Sequence, residues 1–365
     1  MDSQVPAYAS EINAEAVSPR SITILPTYRC NASCEQCCFE SNPRLRHRLE
    51  LRTILQRIDD AVAAFPDLEL VVFSGGEVFL LKDDLFAAIA HAHAHGLAVR
   101  CVTNAFWGKR PAHAQTTAER LRASGCTEVN ISTGRDHQRW VDFATVENAC
   151  AALVDAGLST LVTVEADAAD SQCLRTALDS AVFSRLLRTQ PLLFSVQCNS
   201  WMPFNTDYVE RGVPQGLAAL TEGCTQLFTN VVVNPYDELA ACCGLTFEHI
   251  PELKLGQIHD TGMRALYDES LQDFLKIWIH VDGPGTILRK LFGTEIDQEL
   301  ADVRHICQAC AVLHQNPAVR KALRERYHEF MPEVLLRWNA RVALRRLEAS
   351  QQGPKTARPT EKELA

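Results

Sequence analysis

The stretch SITILPTYRCNASCEQC, Ser21 to Cys37, decides how the rest of the chain is read. Its first part, Ser21–Pro26, is a short apolar run of the kind that suits a strand buried on both faces of a parallel sheet. Its second part sets Cys30, Cys34 and Cys37 in the loop leaving that strand, in the pattern C-x3-C-x2-C. α/β proteins build their sites in loops at the carboxyl ends of parallel strands. Three thiolates this close cannot complete a tetrahedral zinc site alone. They can hold three irons of a [4Fe–4S] cube and leave the fourth open to a ligand, whereas a closed four-thiolate cluster mainly carries electrons.

Outward from this stretch the same alternation repeats. Leu68–Ser74, Ala98–Thr103, Glu128–Thr133, Ser159–Glu165 and Leu192–Cys198 are further short apolar runs. Helical patterns at Leu49–Ala64, Asp84–His95, Ala114–Ala123, Val141–Ala156 and Cys173–Leu187 separate them. Repeating β-then-α units make an α/β fold with right-handed crossovers. Six units ending near residue 200 fall short of a full eight-unit barrel, so a partial (β/α)6 TIM-like barrel is expected.

The pattern then changes. TQLFTNVVVN and ELAAC flank Pro235-Tyr236-Asp237, which reads as a β-hairpin. Helices are expected over Met263–Trp278, Thr286–Cys307 and Pro317 to Leu347. At 365 residues, two or three domains are expected. The divisions are a flexible start (1–20), the partial barrel (21–215), an auxiliary-cluster domain of hairpin and helices (216–312), a C-terminal helix (313–349) and a disordered tail (350–365).

The segment ending the second strand is Val71-Val-Phe-Ser-Gly75-Gly76-Glu77. Glycines admit close backbone approach to a ligand, and a carboxylate can accept from a ligand ammonium. Together with Cys30, Cys34 and Cys37, this motif makes the chain resemble radical SAM enzymes over about residues 21–200. The resemblance implies a catalytic [4Fe–4S] cluster on those three cysteines. It also implies S-adenosylmethionine (SAM) held beside Gly75, Gly76 and Glu77, and reductive cleavage of SAM to a 5′-deoxyadenosyl radical that takes a hydrogen atom from substrate. Thr103-Asn104 resembles the family's polar strand-end pair near SAM. Ser132 resembles a serine that contacts the ribose or carboxylate, although either could simply cap a helix. Gln36 stands where the family usually carries an aromatic against adenine, and Phe39 is a possible replacement.

Cys224, the Cys242-Cys243 pair, Leu255-Gly256-Gln257-Ile258 and Cys307-Gln-Ala-Cys310 resemble the auxiliary-cluster regions called SPASM or twitch domains. The resemblance implies one auxiliary [4Fe–4S] cluster on Cys224, Cys242, Cys307 and Cys310, with Cys243 as the rival of Cys242. A four-cysteine zinc site is the alternative. Asp237 occupies the family's turn-glycine position, and Asp accepts turn conformations. Cys38 reads as a bystander thiol.

Other features have plainer readings. His91 and His95 share a helix face, but no acid accompanies them in the sequence, and histidines suit a helix C-terminus. In Arg135-Asp136-His137-Gln138-Arg139-Trp140, Asp136 reads as a helix N-cap and His137 as a contact in a substrate pocket. The arginines of the last helix read as a solvated face.

Composition excludes several classes. Apolar residues are 47% and charged residues 22%, which excludes wholesale disorder. A net charge of −9 repels phosphate backbones, so nucleic acid is not the expected partner. No run reaches the roughly 18 apolar residues of a membrane span. The polar start carries no secretory signal, so a cytoplasmic location is expected. Fourteen cysteines in a reducing compartment favour metal ligation over disulfides.

The expected function is a radical SAM enzyme that modifies a ribosomally made peptide by crosslinking, thioether formation, epimerisation or residue oxidation. A small-molecule dehydrogenase or epimerase acting on a sugar or alcohol is the alternative, and a non-catalytic zinc-binding protein stands behind both. The first 20 residues leave no room for a separate leader-binding domain, which weakens the peptide reading. A flavodoxin or ferredoxin is the expected reductant, because sulfonium reduction needs a low potential.

Overall fold

All six apolar runs form strands. In the computed structural model, which describes residues 17–202 and 211–351, they are β1 (Ser21–Ile24), β2 (Leu70–Phe73), β3 (Ala98–Thr103), β4 (Glu128–Thr133), β5 (Ser159–Glu165) and β6 (Phe194–Asn199). Between them run α1 (Leu51–Ala64), α2 (Asp83–Ala94), α3 (Pro111–Ala123), α4 (Phe143–Asp155), α5 (Gln172–Asp179) and α6 (Ala181–Thr189). Every pair from β1 to β6 is parallel and sequential, as expected of β/α units with right-handed crossovers. The partial barrel is thus present. Strands β1 and β2 are buried on both faces as expected, but β3 to β5 are not. Along β3, β4 and β5 fully buried residues alternate with half-exposed ones. Val99, Val129, Ile131 and Val162 join the core, whereas Asn130, Ser132 and Thr163 remain partly accessible. An unclosed barrel leaves one sheet face partly reachable, and that face makes the pattern alternate.

The sheet continues past the expected domain boundary. β7 (Asn230–Val233) pairs in parallel with β1 on the side opposite β2, and β8 (Glu238–Ala240) and β9 (Lys254–Gln257) follow antiparallel. The strand order is β6-β5-β4-β3-β2-β1-β7-β8-β9. The β7–β8 hairpin is the one expected around Pro235-Tyr236-Asp237. Asp237 has φ 64°, and both its carboxylate oxygens accept from Arg57 of α1, at 2.7 and 2.6 Å.

Three expected helices are broken, each where capping chemistry competes with continuation. Cys173–Leu187 divides at Ser180, whose hydroxyl accepts from the Phe183 N–H and starts α6. Met263–Trp278 divides at Asp273, which caps a new helix through Leu275 and Lys276. Thr286–Cys307 becomes several pieces, with Gly293 at φ 63° ending the first. The helices here are α7 (Gly216–Ala219), α8 (Ile258–Thr261), α9 (Met263–Ser270), α10 (Phe274–Asp282), α11 (Pro284–Phe292), α12 (Asp297–Leu300), α13 (Ile306–Gln315) and α14 (Pro317–Gln351).

The arginines of α14 are more than a solvated face. Arg337 pairs with Asp282 at 2.5 Å, and Arg341 donates to the His280 and Val281 carbonyls that end α10. Of the expected flexible start, residues 17–20 are ordered, with Val17 buried. The rest of that start lies outside the described residues; of the tail expected over 350–365, residues 350 and 351 belong to α14 and the remainder lies outside them too. No described helix is long and apolar enough to cross a membrane.

Candidate functional site

The loop leaving β1 carries Cys30, Cys34 and Cys37, and the end of β2 packs directly on it. The Gly76 N–H donates to the Thr27 carbonyl at 2.8 Å and the Glu77 N–H to the Arg29 carbonyl at 2.9 Å. A Cβ on Gly76 would lie 2.1 Å from the Arg29 oxygen, so only glycine permits this approach. Gly75 and Gly76 stay partly accessible and offer backbone to a ligand.

Glu77 is fully buried. Its carboxylate accepts from the Phe79 N–H at 3.1 Å, the Thr103 hydroxyl at 2.9 Å and the Asn104 N–H at 2.9 Å. Burial pushes its pKa up to about 7 against those hydrogen bonds. Through these bonds the carboxylate joins the ends of β2 and β3. Asn104 extends the joint, with its side-chain amide 2.8 Å from Asn31 Oδ1 and 3.7 Å from Cys30 Sγ. Ser132 lies within β4, half-buried and paired in register with Thr163.

Burial pushes the Cys30 thiol up to about 12, helped by Glu77, and raises Cys34 further, helped by Cys37 and Asp136. Such thiols stay protonated until a metal replaces the proton. The Ala32 and Ser41 N–H groups lie 3.4 Å from Cys30 Sγ and Cys37 Sγ, donors of the kind that tune cluster sulfurs. Beside Cys34, Arg211 bridges Asp136 at 2.9 Å and Glu165 at 2.7 Å. Asp136 also accepts from the Gln36 N–H at 2.9 Å. The N-cap reading of Asp136 fails, since its carboxylate caps nothing; Asp142 caps α4 instead. Phe39 stacks on Tyr28 at 5.3 Å and meets Phe247 edge-on. His137 packs against Trp201 at 5.0 Å, and burial pushes its pKa down to about 4.

The second cysteine group also converges. Burial raises the Cys310 thiol, helped by the nearby Cys307, Cys242 and Cys224. Cys307 and Cys310 stand at i and i+3 in the first two turns of α13, which His305 and Gln308 cap reciprocally. A Cβ on Gly244 would lie 3.1 Å from Cys307 Sγ and 3.6 Å from Cys242 Sγ. Cys243 instead faces the Thr23 side chain of β1. Cys38 lies between the groups, with Cys37, Cys243 and Cys307 around it. Cys224 opens onto a cavity of about 530 Å³ with His280, Arg341 and Arg345.

Both donor sets consist of thiols alone, the ligands of iron–sulfur clusters and also of tetrahedral zinc. A tetrahedral zinc with bonds of about 2.3 Å brings its sulfurs to roughly 3.8 Å. Among the described residues no three cysteine sulfurs lie within 4.8 Å of one another.

Two elements escaped the sequence reading. Arg211 carries no local signal, because its partners are supplied by distant strand ends. Asn31 stands inside the cysteine motif, where a side-chain amide could have been noticed.

A parallel half-barrel that assembles three thiols, two glycines and a buried carboxylate at its carboxyl edge defines an α/β protein with its cofactor site at the strand ends. Residues 24–166 match the model of the Radical SAM superfamily, and this part of the chain is a radical SAM domain, with SAM and a [4Fe–4S] cluster as its cofactors. The second cysteine group lies beyond the matched residues. YydG of Bacillus subtilis (strain 168), named for peptide biosynthesis, is 26% identical over 129 residues, which is 35% of this chain. The match spans only 40% of that relative. The solved structure of native anSMEcpe with bound AdoMet has a TM-score of 0.51 at 14% identity, over 88% of this chain and 100% of that one. Native anSMEcpe with bound AdoMet and Kp18Cys peptide has the same score and identity, over 88% and 99%. These two establish likeness of fold.

Proposed function

We propose that this chain is a radical SAM enzyme that modifies a peptide by hydrogen-atom abstraction. The observation that carries the reading is the joint at the carboxyl edge, where Gly76 and Glu77 hydrogen-bond to the residues leading into Cys30. Cys30, Cys34 and Cys37 hold the catalytic [4Fe–4S] cluster. Gly75 and Gly76 present backbone to the methionine part of SAM, while Glu77 and Asn104 hold that backbone and the cysteine loop together. A reduced cluster bound there would supply the one electron for reductive cleavage of SAM, the source of the radical chemistry that would take a substrate hydrogen atom. The half-exposed face of β4 and β5, with Ser132 and Thr163, lies where substrate would be held away from water.

Cys224, Cys242, Cys307 and Cys310 hold one auxiliary [4Fe–4S] cluster. Four thiolates leave it no open position, which favours net oxidation or crosslinking over epimerisation. YydG's naming for peptide biosynthesis and the peptide in an anSMEcpe structure support a peptide substrate over a sugar or alcohol. A low-potential flavodoxin or ferredoxin is the reductant.

The test is anaerobic reconstitution with SAM and dithionite, against a Cys30/Cys34/Cys37→Ala variant. Roughly eight irons should fall to four, with 5′-deoxyadenosine formation lost. Cys243→Ala should keep all the iron, and Cys242→Ala should lose the second cluster. Peptides encoded beside the gene should leave the reaction short of two hydrogens. Turnover of sugars or alcohols with unchanged peptides would transfer the reading to a small-molecule dehydrogenase.

A further inference from the structure

On the outer helices, Asp59, His91 and His95 converge. Asp59 lies on α1; His91 lies in the last turn of α2, and His95 caps that helix. Four residues apart, the two histidines share one face. His91 Nε2 is 2.6 Å and His95 Nε2 is 2.7 Å from the same Asp59 Oδ1. The imidazoles stand edge to face, with centroids 5.0 Å apart. The three ligand atoms all lie within 4.8 Å of one another. The side chains are 31%, 31% and 43% exposed, so an ion in solution can reach them. α2 starts at the carboxyl edge of the sheet and runs back, so these histidines sit at the opposite edge from the cysteine loop.

We propose that Asp59, His91 and His95 form a divalent transition-metal site of the zinc class that staples α1 to α2. Two imidazole nitrogens and a carboxylate oxygen are the donors that suit zinc, with bonds of about 2.0–2.2 Å. A tetrahedral ion at those distances needs donors about 3.3 Å apart. The present hydrogen-bonded spacing therefore has to open by less than 1 Å, and water can take the fourth position. Without metal, the Nε2–H tautomer of each histidine would donate to Asp59; to bind an ion through Nε2, each neutral imidazole moves that single proton to Nδ1. α1 enters β2 and α2 leaves it, so the staple clamps the unit that ends in Gly75-Gly76-Glu77. Its position at the amino edge gives it a stabilising role rather than a catalytic one.

The inference is independent of the proposed activity and is tested without it. Cluster-reconstituted wild type, His91→Ala and Asp59→Asn would be titrated with zinc against a chromophoric chelator, and their thermal midpoints followed with and without zinc. Iron content and circular dichroism confirm that each variant is folded, and the cysteine sites, common to all three proteins, cancel in the comparison. Wild type should bind one zinc more than His91→Ala, bind it at least tenfold more tightly than Asp59→Asn, and alone gain a zinc-dependent rise in midpoint. Equal zinc uptake and affinity in the three folded proteins overturns the site.

Discussion

Asn104 donates its backbone N–H to the Glu77 carboxylate at 2.9 Å while its side chain reaches Asn31 at 2.8 Å. The end of β3 is thereby tied to the end of β2 and to the cysteine loop at once. Glu77→Gln keeps the shape but supplies one acceptor oxygen for three donors and turns an amide on one of them. The expected loss is about 1–3 kcal/mol in urea denaturation. If the joint positions the SAM backbone contacts, SAM affinity falls roughly tenfold. Unchanged SAM affinity in a destabilised variant would reduce Glu77 to a folding role.

Arg211 neutralises two carboxylates, Asp136 and Glu165, whose side chains are each only 2% exposed. Arg211→Met leaves both without a countercharge, at a cost of about 3–5 kcal/mol. Iron uptake at the first cysteine group should fall with it, because Asp136 anchors the Gln36 backbone within the motif. Arg211→Lys should lie between, restoring charge without the two-pronged geometry. Iron analysis and melting curves check both, and a fully stable Arg211→Met protein would refute the account.

Asp237 combines a left-handed backbone with a two-pronged ion pair to Arg57. Asp237→Gly relieves the backbone but loses the pair, whereas Asp237→Ala loses both advantages. Ala should therefore be less stable than Gly by about 1 kcal/mol. A cycle with Arg57→Met should recover most of the pair's contribution as coupling. Equal stability of the Gly and Ala variants would mean that φ at this turn is not constrained.

His280 and His314 are buried, and burial pushes both pKa values down to about 4. An unfolded chain takes up their protons near pH 6.5 while the folded chain does not. Their contribution is complete above pH 6.5 and is lost as pH falls toward 4. Each histidine costs about 2 kcal/mol between pH 6.5 and pH 5. His280→Phe, which keeps a ring against Phe228 and Trp338, should flatten that part of the slope. Urea midpoints at pH 7 and pH 5 decide it; parallel slopes in the two proteins would exclude His280 as a source.

Local spacing alone determined a good deal here. Cys30, Cys34 and Cys37 must share one loop because few residues separate them, and Gly75-Gly76-Glu77 must end a strand because an apolar run stops there. The six β/α units were legible for the same reason, since burial imprints a period on neighbouring residues. Helix ends were less so: Ser180 and Asp273 read equally well as surface residues until their caps form. What tertiary structure decided involves partners far apart in the chain. By resemblance the sequence puts Cys242 ahead of its neighbour Cys243, but only the hairpin's position beside β1 sets Cys243 against Thr23 and Cys242 near Cys310. Asp59 lies 32 residues from His91, and helix packing makes them neighbours. Arg211 reaches Asp136 and Glu165 only because β4 and β5 end side by side. Spacing constrains groups within a loop or a helical turn; contacts between distant segments depend on which elements pack together, and no local pattern records that.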